Sequence, residues 1–415
     1  MNNYYFYAAL VFGGILFAIL LAYLPRIVAW FGFTKPYEHL HNEKKNRIAV
    51  LVPARNESEV IRPLLESLAH QTYAEKEVFV IVKDPKDPTI ALAKERGFHV
   101  HVESTQTCKS DALDGAIQGI ISANPRSFDA YLILDADTMI HDNYLEEMNN
   151  AMASGRDVIV SKKIVKNYFL KKGSLTFQGA ANGYIWTLFD EMGNRYKSLH
   201  HIALFTVGSG LLISSKIILR NNGWPFKATM TEDCELAGDI IANHDSTYYA
   251  PYAPIYMEEA PSLSMTNKRR NRWMNGLTSA QRLYRYKDFS MGSFWDVYYS
   301  YSIFLSYLYF ALLSAFALGN GVAALIHFFA GDPLWIWALS SSLSALSLIY
   351  LSFFVMALIA FFAQKKDVKG HWLFRILTVF LVPFHYLGYF PIMVKVFFGK
   401  ADQGWEEIAR VKETR

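Results

Sequence analysis

The chain has 415 residues, of which 52% are hydrophobic and 19% are charged, and its net charge at pH 7 is +4. Length alone allows one large or two ordinary domains, but the apolar residues cluster into long runs, which indicates membrane helices beside a soluble part. The small net charge without a basic stripe argues against nucleic acid as a partner. With only Cys108 and Cys234, the chain does not have the composition of a disulfide-stabilised secreted domain.

The first predicted element is a transmembrane helix. Residues 4–24 carry no charge and are long enough to cross a bilayer. No basic residue precedes the run and no small-residue cleavage site follows it, so we interpret it as a retained helix and not as a signal peptide. Basic residues follow the run at Arg26, Lys35, Lys44, Lys45 and Arg47. By the positive-inside rule they place the next domain in the cytoplasm, and residues 1–46 form an anchor and linker.

Residues 47–285 form the predicted cytoplasmic domain. Apolar runs predict strands at residues 48–53, 78–82, 132–134 and 157–161, and amphipathic or capped segments predict helices at residues 57–70, 112–122 and 231–243. Alternation of strand and helix indicates right-handed βαβ units, and therefore an α/β fold with a mostly parallel sheet. In such a sheet a nucleotide can bind at the carboxyl ends of the strands.

Two carboxylates, Asp135 and Asp137, directly follow the third predicted strand. Two hard anionic oxygens at a strand end suit Mg²⁺ or Mn²⁺, which keep coordination positions open for the oxygens of a phosphate substrate. An Asp-rich turn without a bound metal is the alternative for this motif taken alone.

Three other polar segments carry candidate functional residues. Lys109 precedes a predicted helix, where free backbone N–H groups favour an anion, although a solvated lysine beside a cap has the same pattern. Gly208 and Gly210 flank the start of a strand, where glycine allows close approach to the backbone or only marks a bulge. Glu232 and Asp233 open a helix, either as ordinary capping acids or with Asp233 as a general base.

A basic run at residues 268–273 ends on Arg272 and Trp273. An arginine here can bind a diphosphate, and the indole can stack on a sugar ring. A juxtamembrane run that contacts anionic lipid is the alternative.

Residues 286–415 form the predicted membrane region. It begins with mixed basic and aromatic residues typical of an interfacial helix or a plain linker. Residues 297–331 and 334–363 are two runs without a charge, and the charged Asp332 lies between them. The Gly-Asn-Gly at 319–321 could break or kink the first run. Residues 376–398 contain two prolines and form either a single crossing or a re-entrant hairpin. We therefore expect a multi-pass protein of the plasma or inner membrane that contacts membrane lipid.

Taken in order, these stretches resemble the family 2 inverting glycosyltransferases with the GT-A fold, in particular the membrane-embedded synthases of cellulose, chitin, hyaluronan and poly-N-acetylglucosamine. The resemblance covers about residues 48–276. The segments that carry it are Pro53-Ala54-Arg55-Asn56-Glu57, Asp84, Lys109, Asp135-Ala136-Asp137, Thr231-Glu232-Asp233 and Arg269-Arg270-Asn271-Arg272-Trp273. Position 269 departs from the polymer synthases, which usually have Gln there, and is similar to the ceramide glucosyltransferase branch.

The resemblance implies a UDP-sugar donor and a growing glycan or a lipid as acceptor. Asp233 would be the catalytic base beside Glu232, and Asp137 with Asp135 would hold the metal ion and the uridine. The acceptor would contact Gly208, Ser209 and Trp273. The residues implied in UDP binding are Pro53, Arg55, Glu57, Asp84, Lys109, Asp135 and Arg272. The leading expectation is elongation and secretion of a β-linked polysaccharide. The alternative is a single transfer to a ceramide- or polyprenyl-type lipid.

Overall fold

The computed structural model describes residues 3–165, 177–260, 262–365, 367 and 372–398. Within these residues, eight strands form one mixed sheet in the order β3-β2-β1-β4-β7-β6-β8-β5. The strands are β1 (Ile48–Pro53), β2 (Lys76–Val82), β3 (His99–Val102), β4 (Ala130–Ile133), β5 (Met139–Ile140), β6 (Val158–Val165), β7 (Leu211–Ser214) and β8 (Thr247–Met257).

The first four strands of this order, β3, β2, β1 and β4, are parallel, as predicted. β7 runs antiparallel to both β4 and β6, and β5 runs antiparallel to β8. The predicted α/β fold class is therefore confirmed, with a more mixed sheet than expected. The prediction lacked β3, β5 and β8. β8 contains Pro251 and Pro254, and the pairing register jumps there, from Ser161↔Ala250 to Lys162↔Pro254, which is how a strand tolerates proline.

Fifteen α-helices lie in the described part of the chain. They are α1 (Asn3–Ala29), α2 (Arg62–Ala69), α3 (Thr89–Lys94), α4 (Lys109–Ala123), α5 (Tyr144–Met152), α6 (Phe177–Thr187), α7 (Arg195–Leu199), α8 (Ser215–Arg220), α9 (Glu232–Asn243), α10 (Leu263–Met291), α11 (Phe294–Tyr301), α12 (Ile303–Phe329), α13 (Leu334–Ala363), α14 (Trp372–Leu387) and α15 (Tyr389–Phe398). A π-helical segment, Leu188–Asn194, joins α6 to α7.

Helix α2 begins five residues later than the sequence predicted. The N–H groups of Val60 and Ile61 both donate to the carbonyl of Glu57, at 3.0 and 2.9 Å. This turn holds residues 57–61 outside the helix, and Pro63 follows as its second residue, a position where the missing N–H of proline costs nothing.

The central strands are buried on both faces of the sheet. Along β1, Ile48 and Val50 pack on one face, with apolar residues of α2 and α5. Ala49 and Leu51 pack on the other, with α4, α8 and α9. Burial on both faces explains why β1 is a continuous apolar run without alternation. It leaves the strand ends as the part of the sheet that can meet a ligand.

Three helical segments are long and apolar enough to cross a membrane: Ala9–Thr34, Phe294–Phe329 and Leu334–Ala363. They coincide with the three charge-poor runs predicted from the sequence. Helix α12 continues through residues 319–321, so the chain does not break there, and a kink at this segment stays a prediction; the interruption lies at Ser302, between α11 and α12. Large apolar side chains face outward, such as Phe329 at 82% exposure, which indicates a lipid-facing surface.

The last predicted run forms two helices, α14 and α15, separated at Gly388. One face of α14 lies along α6, where His385 Nε2 lies 3.1 Å from Asn182 Oδ1. Its opposite face exposes Leu377 and Phe384. The described segment is therefore broken, as in the hairpin alternative, but at a glycine and not at a proline. Its membrane orientation stays a prediction, and the basic tail at 399–415 lies outside the described residues.

Candidate active site

The sheet register brings the predicted site residues to one edge. Leu51 of β1 pairs with Ile133 of β4, so Pro53, at the end of β1, lies level with Asp135. Because β7 is antiparallel to β4, the segment that precedes β7, residues 208–210, returns to this same edge. The carboxyl ends of parallel strands are the expected ligand side of such a sheet.

Lys109 forms the centre of a charged cluster at this edge. Its Nζ lies 2.6 Å from Asp135 Oδ1, 3.1 Å from Glu232 Oε1 and 2.8 Å from the carbonyl oxygen of Gly208. Burial alone would lower the pKa of Lys109, but the charges of Asp135 and Glu232 raise it above its ordinary value. The lysine is therefore cationic. It is the first residue of α4, where the sequence had placed a loop.

Asp233 lies in the first turn of α9, beside this cluster. Its Oδ2 accepts the N–H of Gly208 at 2.9 Å, and its Oδ1 accepts the N–H of Cys234 at 2.8 Å. Burial and the charge of Glu232 raise the pKa of Asp233 to about 6, and the charge of Lys109 opposes this effect. A fixed carboxylate that titrates near neutral pH has the protonation behaviour of a general base.

The segment Gly208-Ser209-Gly210 forms hydrogen bonds to both Asp135 and Asp233. Ser209 is fully buried, and its Oγ accepts the N–H of Asp135 at 3.0 Å and lies 2.9 Å from Thr138 Oγ1. Gly210 has φ +69°, and a Cβ there would lie 2.7 Å from the Cβ of Ser161. The structure thus gives these residues a positioning contact. Their predicted contact with an acceptor stays a prediction, and Thr138 is a site residue that the sequence reasoning missed.

Helix α10 brings Arg272 to the carboxylates. Burial and the neighbouring charge of Arg269 lower the pKa of Arg272, whereas Glu232, Asp135 and Asp233 act in the opposite direction. Close packing holds this helix against the start of α9: a Cβ at Gly276 would lie 2.3 Å from the side chain of Thr231. A substitution at this glycine would therefore displace α10 from the cluster.

Trp273 belongs to an aromatic wall beside the cluster. Its ring packs edge-on against Trp186, with 5.7 Å between the ring centroids. The indole Nε1 of Trp186 donates to Glu259 Oε1 at 2.6 Å, and Asn182 Nδ2 donates to Glu259 Oε2 at 3.0 Å. Trp186 and Asn182 were not predicted. They lie on α6, far in sequence from every motif.

The comparisons with known proteins decide the family. A family model described as "Glycosyltransferase like family 2" matches residues 46–276, more than half of the chain. The chain belongs to this glycosyltransferase family. Its sequence has no significant match among curated proteins.

Three solved structures are similar to this glycosyltransferase to different degrees. A mannosyltransferase from Pyrobaculum calidifontis, solved with GDP-Man and Mn²⁺, has 16% identity and a TM-score of 0.55, over 94% of this chain and 98% of that one. S. aureus TarS 1-349 with UDP has 17% identity and a TM-score of 0.39, over 82% and 91%. Glucosyl-3-phosphoglycerate synthase from Mycobacterium tuberculosis, with Mn²⁺, UDP and phosphoglyceric acid, has 16% and 0.39, over 57% and 78%. At these identities, the first of them supports the GT-A fold alone.

Four predicted nucleotide-binding residues of the glycosyltransferase, Pro53, Arg55, Glu57 and Asp84, lie at the ends of β1 and β2. Pro53 pairs with Ile81, so Asp84, three residues farther along, lies at the same sheet edge. Asp84 is exposed and accepts the N–H of Lys86 at 2.8 Å. These residues thus lie on the ligand side of the sheet.

The glycosyltransferase could hold a divalent cation at Asp135 and Asp137. Among the residues that the structure describes, no three acidic, histidine or cysteine side chains form a complete metal site by themselves. Two carboxylates fit Mg²⁺ or Mn²⁺ nevertheless, because such ions usually take their remaining ligands from water and substrate phosphates. The side chain of Asp135 is 37% exposed, which leaves it accessible for this.

A cavity of about 690 Å³ extends from this site toward the membrane helices. Asp233 and Trp273 line one part of it. The rest of its wall is mainly apolar and includes residues of α1, α12 and α13, such as Ile19, Leu305 and Met356. The volume lies within the range of roughly 300–1,000 Å³ typical of ligand pockets.

Proposed function

We propose that this glycosyltransferase transfers one sugar from a UDP-sugar to a hydroxyl group of a membrane lipid, with inversion at the anomeric carbon. The observation that carries the proposal is the cavity, because Asp233 lines one part of it and much of the remaining wall is apolar and belongs to the candidate membrane helices. An apolar chain buried there gains about 25 cal/mol for each Å² removed from water.

The donor diphosphate would bind at the Lys109 cluster. Lys109 and Arg272 supply the positive charge that a departing diphosphate requires, and they lie beside the ends of β1 and β2, where the uridine would be held. Asp135 and Asp137 would hold Mg²⁺ or Mn²⁺, which would neutralise further charge on the diphosphate.

Asp233 would act as the base. It takes the proton of the acceptor hydroxyl while the hydroxyl oxygen forms a bond to the anomeric carbon, and the bond from that carbon to the UDP oxygen breaks. Its two backbone hydrogen bonds, from Gly208 and Cys234, fix the carboxylate in place. One base and one leaving group suffice for a single displacement, which inverts the configuration.

A second candidate is processive elongation of a β-linked polysaccharide that is secreted through the membrane helices. The Trp186–Trp273 pair favours it, because aromatic rings provide the stacking surfaces on which sugar rings bind. The apolar character of the remaining cavity favours the lipid, since a polysaccharide would leave its hydroxyl groups without partners there. We place lipid transfer first for this reason.

Product analysis separates the two functions. Purified full-length protein with Mn²⁺ or Mg²⁺ is incubated with a panel of radiolabelled UDP-sugars and total membrane lipid. The expected product extracts into organic solvent and carries a single sugar. A water-soluble polymer would establish the second candidate instead, and absence of UDP release with every donor would contradict both.

The proposed arrangement in the membrane has residues 47–285 in the cytoplasm, the amino terminus outside and residues 286–415 as a multi-pass region of the plasma or inner membrane. Cysteine-labelling from each side of sealed vesicles tests it. A cysteine introduced at the exposed position 142 should react with a reagent on the cytoplasmic side. Reaction with a reagent confined to the opposite side of the membrane would contradict this orientation.

A further inference from the structure

Two cations line the cavity that contains Asp233: Arg26 of α1 and Lys197 of α7. Lys197 is 8% exposed. Within the described part of the chain, its ammonium group has no hydrogen-bond or ion-pair partner. Buried lysines are normally paired, because an unpaired charge away from water costs several kcal/mol. Lys197 therefore lacks the partner that its position demands.

The electrostatic surroundings of Lys197 point to a missing anion. Burial and the nearby charge of Arg26 lower its pKa to about 7, while Asp190 and Asp296 oppose this effect. Asp190 already forms an ion pair with Lys163 at 3.3 Å. These two carboxylates therefore leave Lys197 with a strongly lowered pKa.

Two other carboxylates of the cavity wall form hydrogen bonds to groups other than this lysine. Asp296 accepts the N–H of Ala203 at 2.7 Å and the hydroxyl of Ser293 at 2.6 Å. Asp288, also in the cavity wall, accepts the hydroxyl of Tyr301 at 2.7 Å. Arg26 donates to Ser302 Oγ at 2.6 Å and to the carbonyl of Tyr299, both neutral groups. Among the described residues, no carboxylate thus forms a hydrogen bond or ion pair with either of these two cavity-lining cations.

We propose that Lys197 and Arg26 bind the phosphate of an anionic lipid acceptor. In this lipid the phosphate separates the apolar chain, which occupies the cavity, from the hydroxyl that reaches Asp233. The inference rests on the proposed transfer to lipid and narrows its acceptor to one chemical class. A hydroxyl is the nucleophile because a phosphate oxygen is already deprotonated at neutral pH and would not need the base.

A binding experiment tests the site without any turnover. Full-length protein in detergent is exposed to two lipids with identical acyl chains, phosphatidylglycerol and neutral monoglucosyldiacylglycerol, and retained lipid is counted by native mass spectrometry. A charge-assisted contact predicts a preference of about tenfold for phosphatidylglycerol in the wild type. Lys197→Met should abolish the preference and Lys197→Arg should retain it.

Two controls keep the test specific. Lys94→Met removes an exposed lysine of α3, outside the cavity, and should leave the preference unchanged. Lys197→Met should melt no lower than the wild type, because it removes an unpaired buried charge. Excess inorganic phosphate should not displace the lipid, since it lacks the apolar chain.

The outcomes separate this inference from the proposed function. Equal retention of both lipids by the wild type, or an unchanged preference in Lys197→Met, overturns the phosphate site. If the wild type transfers sugar to a neutral lipid and Lys197→Met does so equally well, the phosphate site is overturned. Lipid glycosylation itself then stands. A lipid preference that depends on Lys197, in a protein that makes only polymer, overturns the proposed acceptor role and therefore this inference with it.

Discussion

Replacing Asp233 with asparagine separates the charge of this residue from its shape. The amide keeps one acceptor oxygen for the two N–H donors, Gly208 and Cys234, but it cannot take a proton from an acceptor hydroxyl. General-base catalysis contributes about 10²- to 10⁴-fold, so we expect transfer to fall by that factor. Binding of UDP should change little, because Lys109 and Arg272 remain.

The same substitution has a predictable effect on stability. The pKa of Asp233 is raised in the folded protein from 3.8 to about 6, and two units correspond to ~3 kcal/mol. Because the folded pKa is the higher one, the ionised carboxylate destabilises the fold above pH 6, and the cost disappears below pH 3.8. The lost hydrogen bond costs Asp233→Asn about 1–3 kcal/mol at every pH.

Transfer activity and unfolding free energy are both measured across pH. The cost of the lost hydrogen bond is the same at every pH, so it cancels from the pH dependence of stability. Unfolding free energies of wild type and Asp233→Asn are compared at pH 4 and pH 8, and the difference between them should move by ~3 kcal/mol in favour of the variant at the higher pH. Asp142→Asn, at an exposed position, serves as the control for both assays. A pH-independent difference would refute the burial argument, and a variant that retains more than about a tenth of the activity would refute the base assignment.

Three further perturbations test the rest of the site. Lys109→Met leaves two carboxylates facing each other without a cation, so UDP affinity measured by calorimetry should fall at least about tenfold; unchanged affinity would remove the lysine from the donor site. Gly208→Ala places a Cβ 2.9 Å from Lys109 Nζ and should impair transfer, whereas Gly119→Ala, whose nearest neighbour lies at 3.8 Å, should not. Chelation by EDTA should stop transfer and added Mn²⁺ or Mg²⁺ should restore it; full activity in EDTA would contradict the metal proposal.

The sequence predicted the half of the sheet that is buried on both faces. Strands β1 and β4 and residues 78–82 of β2 are continuous apolar runs, and their parallel direction follows from the helices between them. Once these strands are placed, Pro53 and Asp135 must lie at one edge, so this part of the candidate site could be predicted as well. β8 could not, because its two prolines argue against a strand and only the register shift beside β6 accommodates them.

The cavity had no signal in the sequence. Its wall includes residues of α1, α7, α10 and α13, which lie far apart in the sequence. Each helix contributes side chains that the sequence predicts as ordinary membrane or core residues. The sequence did not indicate the burial of Lys197 either, because a lysine in a short polar stretch predicts a solvated side chain. Only packing of the π-helical segment and α7 under the sheet turns it into a buried cation.

The basic run on α10 illustrates where local pattern stops. Residues three apart on a helix lie on one face, and adjacent residues diverge by about 100°. Arg269 and Arg272 accordingly share the face toward the acidic residues, where Arg269 donates to the carbonyl of Glu258 at 3.0 Å. Arg270 points elsewhere: fully buried, it donates to the carbonyl of His385 at 3.1 Å and lies 3.9 Å from the ring centre of Tyr389.

Those two contacts lie on either side of Gly388, so Arg270 holds the break between α14 and α15 against the same helix that presents Arg272 to the carboxylates. Helical periodicity alone predicts that Arg270 points away from Arg269 and Arg272. It does not predict which residues Arg270 contacts, because its partners lie more than a hundred residues later in the chain. The position of Arg272 is therefore linked, through helix α10, to the packing of α14 and α15.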